Sequence, residues 1–411
     1  MNQGNKATYG TKKIIVQGLY KIFSEVDSDV IKLLEDGLNK EEILERTGSI
    51  VGVCNASFSI NEGEIFVVMG LSGSGKSTLV RLLNRLIEPT CGTIHFDGTD
   101  ITKMSPEDLI TFRREKINMV FQSFALMPHM NIIDNAAFGL ELAGVPIEER
   151  HSRASQALNQ VGLEAFSQNY PDELSGGMQQ RVGLARALAC NPSVMLMDEA
   201  FSALDPLIRA EMQDELLKLQ EKSRRTIIFI THDLDEAMRI GDRIAIMEDG
   251  QIIQTGTPEE ILKNPANDYV ASFFRGVDTS NILSARDIAI NSQFTVIETE
   301  EQKLHATLEK LHRTNCSFGY VLNSNENLVG VISEYSLEQA IAEDPDQDIA
   351  KALIPGIKTL REDTSLRDLI GVVSESAYGV PVINNSSKYI GCITKTSLLS
   401  TLNQRLDKKN V

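Results

Sequence analysis

A glycine-rich stretch constrains this chain more than any other feature of the sequence. It consists of Gly70, Leu71, Ser72, Gly73, Ser74, Gly75, Lys76, Ser77 and Thr78. The apolar run at 65–69 before it predicts a buried strand, and the apolar-rich run at 79–86 predicts a helix. In this strand–loop–helix context the pattern G-x-x-x-x-G-K-[ST] indicates a phosphate-binding loop rather than an ordinary glycine-rich turn.

The residue types of this loop fit the chemistry of a nucleoside triphosphate. Glycines leave room for backbone N–H groups to point at phosphate oxygens. The following helix offers its unpaired N–H groups and the positive end of its dipole to the same anion. Lys76 supplies a positive charge for the β- and γ-phosphates, and the Ser77 hydroxyl is a candidate Mg²⁺ ligand.

Two carboxylates follow a second apolar run, at 194–197. A buried strand would deliver Asp198 and Glu199 at its carboxyl end, where ligands bind in open α/β sheets. We expect Asp198 to hold Mg²⁺ and Glu199 to polarise an attacking water. The alternative is that the two acids cap the next helix, although Asp205 and Pro206 also carry that signal.

Polar residues also end two further predicted strands, at 117–121 and 226–230. The first ends at Gln122, which would then lie at the ligand crevice. The second is followed by Thr231 and His232, and an imidazole there can bridge the γ-phosphate and the water. The alternatives are a solvated glutamine and an ordinary hydrogen-bonded histidine.

A second glycine-rich helix start lies at Ser175, Gly176 and Gly177, before a predicted helix at 178–189. It is a second anion site by the same physical logic as the phosphate loop. The two anion sites need not face the same ligand within one copy of the chain. The segment 123–130 between the predicted elements is unusually apolar for a loop and predicts a partner surface.

The region before the phosphate loop reads as two strands, at 14–20 and 51–60, with a polar helical insert between them. Asn39 and Glu42 have the spacing of a capping box, and Gly48 could end that helix. Phe23 is a candidate for stacking on adenine, and a core aromatic is an equally good interpretation of the same residue.

Composition excludes several classes of function. The 411 residues suit two or three domains, and 42% are hydrophobic, which is enough for packed cores. The formal net charge of −17 argues against nucleic-acid binding and against electrostatic anchoring on a membrane. No apolar run is long enough to span a bilayer, and residues 1–10 lack a signal peptide's apolar core. The five cysteines lie far apart, which predicts no disulfide framework and no zinc site.

Together these motifs resemble those of the ATP-binding subunits of ABC transporters. The corresponding segments are Walker A at 70–78, the Q-loop at Gln122, the signature at 174–180, Walker B ending at Asp198 and Glu199, the D-loop at 202–205 and the switch histidine, His232. The resemblance covers residues 14–276 and implies an α/β P-loop NTPase fold with a helical subdomain. It also implies that Gln122 serves both catalysis and the Mg²⁺ site.

The same resemblance implies a homodimer of ATPase subunits, with the two copies facing each other head to tail. ATP would lie between the Walker A loop of one copy and the Ser175–Gly177 stretch of the other. ATP would then hold the dimer closed, and hydrolysis would release it.

A finer resemblance is to the ATPase subunits of quaternary-amine importers, those for glycine betaine and proline betaine. It is carried by the helical insert and by the segments 127–130, 198–209 and 264–269. It implies an integral membrane permease contacted by the surface after Gln122, and a substrate-binding protein as an indirect partner. The chain would be peripheral, on the cytoplasmic face of the cell membrane, with no nucleic-acid partner.

The tail contains an internal repeat of helix, strand, turn, strand and helix, with its two copies about sixty residues apart. It resembles a tandem pair of CBS domains, an α+β module. The predicted domains are 1–278 for the ATPase, with a helical subdomain at about 123–190, and 281–343 and 350–405 for the CBS pair. Ser336 and Ser397 stand where an aspartate commonly holds a ribose, so adenosine binding is not expected.

Related modules sense ionic strength or a cyclic dinucleotide, and a role in packing and dimerisation is the alternative for this tail. Two other functions stay open for the whole chain. One is an importer ATPase for another solute, and the other is a soluble ABC ATPase acting on ribosomes or DNA. Proteins of the latter kind usually carry two cassettes or long coiled coils, whereas this chain has one Walker A loop and no heptad run.

Overall fold

The computed structural model describes residues 10–24, 27–121, 125–202, 204–274, 283–291, 295–297, 304–314, 316–345 and 347–403. The chain divides into two compact units, of which the first ends at Phe274. No helix among these residues is long and apolar enough to cross a membrane.

The first unit is built from strands and helices that alternate along most of its length. In chain order they are β1 (Lys12–Phe23), α1 (Asp27–Glu35), α2 (Lys40–Thr47), β2 (Ile50–Asn61), β3 (Ile65–Met69), α3 (Lys76–Leu83), β4 (Cys91–Phe96), β5 (Thr99–Asp100), α4 (Pro106–Glu115), β6 (Ile117–Val120), α5 (Ile132–Leu142), α6 (Ile147–Gln160), α7 (Gly176–Ala189), β7 (Val194–Asp198), α8 (Pro206–Ser223), β8 (Thr226–Thr231), α9 (Leu234–Ile240), β9 (Arg243–Glu248), β10 (Gln251–Gly256), α10 (Pro258–Lys263) and α11 (Asp268–Phe273).

A six-stranded sheet in the order β10-β9-β3-β8-β7-β6 forms the centre of this unit. All neighbouring strands in it are parallel except β9 and β10. Every residue of β3, β7 and β8 is buried, which explains their continuous apolar runs, since parallel sheets are covered on both faces. The carboxyl ends of β3, β7 and β8 therefore meet at one edge, where the predicted site residues follow them.

An antiparallel sheet in the order β2-β1-β4-β5 packs against α3 and the central sheet. The helical insert links β1 to β2. Its second helix, α2, has the predicted capping box between Asn39 and Glu42 and ends at Gly48, whose φ is 72°. A buried cluster that includes Ile22, Val30 and Ile43 fixes the insert against the strands. The predicted strands and capping signals of this region are confirmed.

The helices α5, α6 and α7 form the helical part of the first unit, as the sequence predicts. Asn135, on α5, is fully buried and fixes the apolar segment before it. Its side-chain amide donates to the carbonyls of Met127, Met130 and Asn131, and its Oδ1 accepts from the Met127 N–H. These hydrogen bonds fix the backbone of the described part of that segment, 125–130, although all of its residues are half-buried or exposed.

The second unit repeats one arrangement twice, as predicted. Its elements are α12 (Ala285–Ile288), β11 (Thr295–Ile297), α13 (Leu304–Arg313), β12 (Phe318–Leu322), β13 (Leu328–Ser333), α14 (Glu334–Glu343), β14 (Leu360–Arg361), α15 (Leu366–Glu375), β15 (Val380–Ile383), β16 (Tyr389–Ile393) and α16 (Lys395–Asn403). Two three-stranded sheets, β11-β12-β13 and β14-β15-β16, carry the repeats. The Tyr320 hydroxyl joins them by donating to the Gly379 carbonyl at 2.7 Å.

Two helix boundaries differ from the sequence expectation. The helix predicted at 79–86 is α3, which begins at Lys76 and ends at Leu83. It starts earlier because Gly75, with φ of 102°, turns the chain directly into the helix. It ends earlier because Arg85, with φ of 52°, leaves the helical conformation. The helix predicted at 178–189 begins instead at Gly176, because Ser175 is its N-cap.

Replacing Gly92 by alanine should destabilise the first unit more than the same change at Gly98. Both glycines have positive φ, 96° and 79°, so an added Cβ costs about 1–2 kcal/mol at either position. A Cβ on Gly92 would also lie 2.3 Å from the Gly18 carbonyl oxygen on β1, whereas Gly98 faces open space. We expect a further loss of about 1–3 kcal/mol at Gly92, measured by denaturant unfolding. Equal losses for the two variants would contradict this packing argument.

Candidate functional site

The phosphate loop between β3 and α3 is closely packed. A Cβ on Gly70 would lie 2.2 Å from the Met247 carbonyl oxygen, and one on Gly75 would lie 2.3 Å from the Gly52 carbonyl oxygen. Neither position therefore has room for a side chain. Gly73, with φ of 82°, is different because it faces open space and needs glycine only for its backbone conformation.

Lys76 is the first residue of α3, and its side chain turns back over the loop. Its Nζ donates to the carbonyl oxygens of Gly70 and Leu71 at 2.9 and 2.8 Å. Burial lowers the pKa of Lys76, while the nearby carboxylates of Glu199 and Asp198 oppose that shift. The ammonium group thus lies at the centre of the loop, with little solvent around it.

Ser77 and Asp198 are brought into direct contact from distant parts of the chain. The Ser77 Oγ donates to Asp198 Oδ1 at 2.9 Å, joining the first turn of α3 to the end of β7. Burial raises the pKa of Asp198, and the Ser77 hydrogen bond and Arg81 oppose that shift. Two hard oxygen donors therefore lie together beside the phosphate loop.

Glu199 and His232 follow neighbouring strands, β7 and β8, and meet at the same edge of the sheet. Glu199 has φ of 46°, and its N–H donates to the Ile230 carbonyl at 3.1 Å. Its Oε2 lies 3.4 Å from His232 Nδ1. A non-glycine residue in this conformation costs of order 1–3 kcal/mol, so the surrounding structure holds the carboxylate in place. The helix-capping alternative for Asp198 and Glu199 is wrong, because Asp205 caps α8.

Phe23 ends β1 with 45% of its surface exposed, so it is not a core aromatic. Its ring lies against Gly52, where an added Cβ would be 3.0 Å from Phe23 Cε2 and 3.0 Å from Thr78 Cγ2. The ring is therefore beside the first turn of α3. The Lys21 ammonium lies 5.0 Å from the ring centroid.

Among the described residues, the predicted stretch Ser175–Gly177 is not joined to the phosphate loop. Ser175 and Gly176 are exposed, and Ser175 Oγ accepts from the Met178 N–H at 3.4 Å. A Cβ on Gly177 would lie 2.5 Å from Ile208 Cγ2 on α8. None of the described hydrogen bonds or ion pairs links Ser175–Gly177 to Lys76 or Ser77. Gln122 lies outside the described residues.

Comparisons with known proteins show which family this chain belongs to. The ABC transporter family model matches residues 53–202, and the CBS domain model matches residues 347–404. The glycine betaine/proline betaine transport system ATP-binding protein ProV of Salmonella typhimurium is 56% identical, covering 95% of this chain and 98% of the relative. The chain belongs to the ATP-binding subunits of ABC transporters.

Two other matches extend the comparison. The glycine betaine transport ATP-binding protein OpuAA of Bacillus subtilis is 50% identical over 95% of this chain and 92% of its own length. A dimeric ATP-binding cassette, MJ0796, solved in a post-hydrolysis state with ADP and Pi, has a TM-score of 0.50 and 31% identity. The match covers 59% of this chain and 98% of the cassette's chain.

As a member of this family, the chain is an ATPase whose activity is coupled to transport, and its site residues fit the nucleotide. The Ser74 Oγ, inside the loop, is buried without a hydrogen-bond partner among the described residues. A phosphate oxygen would satisfy it, and would also draw Lys76 Nζ away from the loop carbonyls. The Ser77 hydroxyl and the Asp198 carboxylate are the oxygen donors that Mg²⁺ prefers.

Sequence reasoning missed two features of this ABC subunit's site. Arg81 lies four residues after Ser77 on α3, and its Nη2 is 3.9 Å from Asp198 Oδ2. The helical spacing could have predicted that both face the same way. The other feature is the approach of Gly250 to the loop: its N–H donates to the Ser74 carbonyl at 2.9 Å. No local pattern predicts that contact.

We expect Phe23→Ala to weaken ATP binding roughly tenfold, since stacking of a base on an aromatic ring is worth about 1–3 kcal/mol. Phe23→Trp should retain binding. The natural chain has no tryptophan, so ATP titration of that variant can be followed by quenching of a single indole fluorophore.

Ile50→Ala is the matched control, because Ile50 is exposed and lies opposite Phe23 on β2. If Phe23→Ala binds ATP as tightly as Ile50→Ala does, the stacking role is wrong.

Proposed function

We propose that this chain hydrolyses ATP to power the uptake of glycine betaine or proline betaine through a partner membrane permease. The observation that carries the catalytic part is the meeting of Glu199, His232 and the phosphate loop at one edge of the sheet. The relatives named for glycine betaine and proline betaine transport support the solute, since they match almost the full length of both chains.

The residues at this edge divide the chemistry between them. Lys76 holds the β- and γ-phosphates, and Ser77, Asp198 and Gln122 would hold Mg²⁺. The ion would neutralise charge that builds up on the phosphate oxygens. Glu199 accepts a hydrogen bond from the attacking water and polarises it, and His232 orients that water and contacts the γ-phosphate. The 3.4 Å approach of His232 to Glu199 supports a shared task.

A second copy of the chain completes the site. Ser175, Gly176 and Gly177 of one copy would contact the ATP held by Lys76 of the other, in a head-to-tail homodimer. Exposure of Ser175 and Gly176 supports this arrangement. Leu71, within the phosphate loop, and Leu207, at the start of α8, are also exposed, by 60% and 70%. Apolar side chains in such positions are suited to an interface.

The permease would contact the surface that follows Gln122, on the cytoplasmic face of the cell membrane, where the chain is peripheral. The segment 125–130 supports this assignment because it keeps apolar side chains partly exposed while Asn135 fixes its backbone. A substrate-binding protein would be an indirect partner, since the solute does not pass through this chain.

The tail, with CBS domains proposed at 281–343 and 350–405, would regulate the ATPase domain proposed at 1–278. Ser336 Oγ accepts from the Ser333 N–H at 2.9 Å, and Ser397 Oγ accepts from the Thr394 N–H at 3.0 Å. Both hydroxyls therefore already cap helices, which argues against a role in holding a ribose. We favour regulation by ionic strength or by another ligand over adenosine binding.

A different methylated amine is the second candidate for the solute. The trimethylamine N-oxide transport system ATP-binding protein TmoW of Pelagibacter ubique is 49% identical over 66% of this chain. A soluble ABC ATPase acting on ribosomes or DNA has less support, because the relatives with the broadest coverage are all named for transport.

Glu199→Gln should bind ATP but hydrolyse it at least about a hundredfold more slowly, because a polarising base contributes roughly 10²–10⁴ in rate. In cells that carry the variant as the only copy, uptake of labelled glycine betaine should fall together with the rate of ATP hydrolysis. Glu107→Gln, at an exposed position on α4, is the control and should keep both activities.

Near-normal turnover in Glu199→Gln would remove Glu199 from catalysis. Loss of ATPase activity with glycine betaine uptake unaffected would instead show that this solute is the wrong one. A panel of labelled proline betaine, trimethylamine N-oxide and choline would then identify the correct one.

Ending the chain after Phe274 should leave ATP hydrolysis intact and change its response to salt, because the two units are separately compact. ATPase activity of the transporter complex is measured across a series of KCl concentrations. A chain ending after 403 is the control and should behave as the full chain does. An unchanged salt response in the shorter chain would reduce the tail to a packing role.

A further inference from the structure

Three adjoining cavities in the first unit share one residue, Arg225. Their volumes are about 320, 380 and 240 Å³, and Arg225 lines each of them. Arg225 directly precedes β8, so it lies at the end of that strand opposite His232. The cavities are therefore remote from the nucleotide site, although one strand connects the two regions.

The guanidinium group of Arg225 is only partly satisfied. Its Nε donates to Ser223 Oγ at 3.3 Å. Its Nη1 is buried and has no hydrogen-bond partner among the described residues. None of the ion pairs in the described part of the chain includes Arg225. A buried donor without an acceptor is costly, more so on a charged group, so an anion reaching Nη1 would be stabilised there.

In two of the three cavities the charged side chains of the walls are mostly cationic, although the whole chain carries a formal charge of −17. The third is mixed, with Glu62 and Glu115 as well as Lys116 and Arg224. Lys218 and Lys222, on α8, line one cavity with Glu215 as its only acid. Arg153, on α6, lines another and is paired with Glu149, which is outside the lining. Neither lysine is in an ion pair among the described residues.

The helices that form these walls explain why the charges converge. Arg153, Gln156 and Gln160 lie on one face of α6, at spacings of three and four residues. Lys218 and Lys222 are four residues apart on α8. The two amides offer both donors and acceptors beside the cations, as a ligand with a polar body would need.

We propose that this cationic groove, formed by Arg153, Lys218, Lys222 and Arg225, binds a small phosphate-bearing anion at a site separate from the phosphate loop. A planar guanidinium with nearby ammonium groups is suited to the oxygens of a phosphate or diphosphate. The limited volume of each cavity favours a small molecule over a macromolecule. The inference does not depend on which solute is transported.

The test uses the full chain with inorganic pyrophosphate as the probe, at constant ionic strength set with KCl. Calorimetric titration of the natural chain should give two sites for each chain, one at the phosphate loop and one at Arg225. Lys76→Ala should remove the first site and keep the second. Arg225→Gln should do the opposite, weakening the second site about tenfold or more through loss of charged hydrogen bonds.

Lys218→Gln and Lys222→Gln change exposed positions, so they keep the test decisive if Arg225→Gln fails to fold. Each should weaken the second site, whereas Lys32→Gln, on α1, should leave it unchanged. A single site in the natural chain, lost entirely in Lys76→Ala, would overturn the proposal. Equally tight binding of citrate at the Arg225 site would overturn its assignment to phosphate.

Discussion

The hydrogen bond between Ser77 and Asp198 is the contact on which the site depends. It joins the start of α3 to the end of β7 across a large separation in sequence; Asp198 is buried and Ser77 is half-buried. The phosphate loop is thereby held against the acidic edge of the central sheet. Because parallel strands end at the same edge, that single connection also places Glu199 and His232 beside the loop.

Burial has opposite effects on the two charged groups at this edge. It lowers the pKa of Lys76 and raises that of Asp198, since removal from water disfavours either charged form. Each group partly offsets the shift of the other. A bound phosphate would stabilise the ammonium, and a bound cation would stabilise the carboxylate, so nucleotide and Mg²⁺ would relieve the desolvation that the fold imposes. This is how a chain of strongly negative charge can still bind a polyanion.

Sequence reasoning succeeded where the signal was local. The capping box at Asn39 and the cap at Asp205 are confirmed, because each depends on residues a few positions apart. The repeat in the tail is confirmed because the same local pattern of helix, strand, turn, strand and helix occurs twice. It left Phe23 undecided between a stacking ring and a core ring. Only the structure excludes a core position, because the ring is exposed and lies against Gly52 at the surface of the strands. The start of α3 was misplaced because Gly75 turns the chain into the helix without any apolar residue to mark the boundary.

The sequence by itself determined the family, the phosphate loop and the acidic strand end, since these are written as short patterns of residue types with fixed spacing. Tertiary structure decided which distant groups come together. It pairs Arg81 with Asp198 and brings the Gly250 N–H to the Ser74 carbonyl. It also forms the three cavities that Arg225 lines. The physical reason is that spacing along one helix or strand fixes direction only within that element. Contacts between elements follow from how their buried faces pack, and no short segment contains that information.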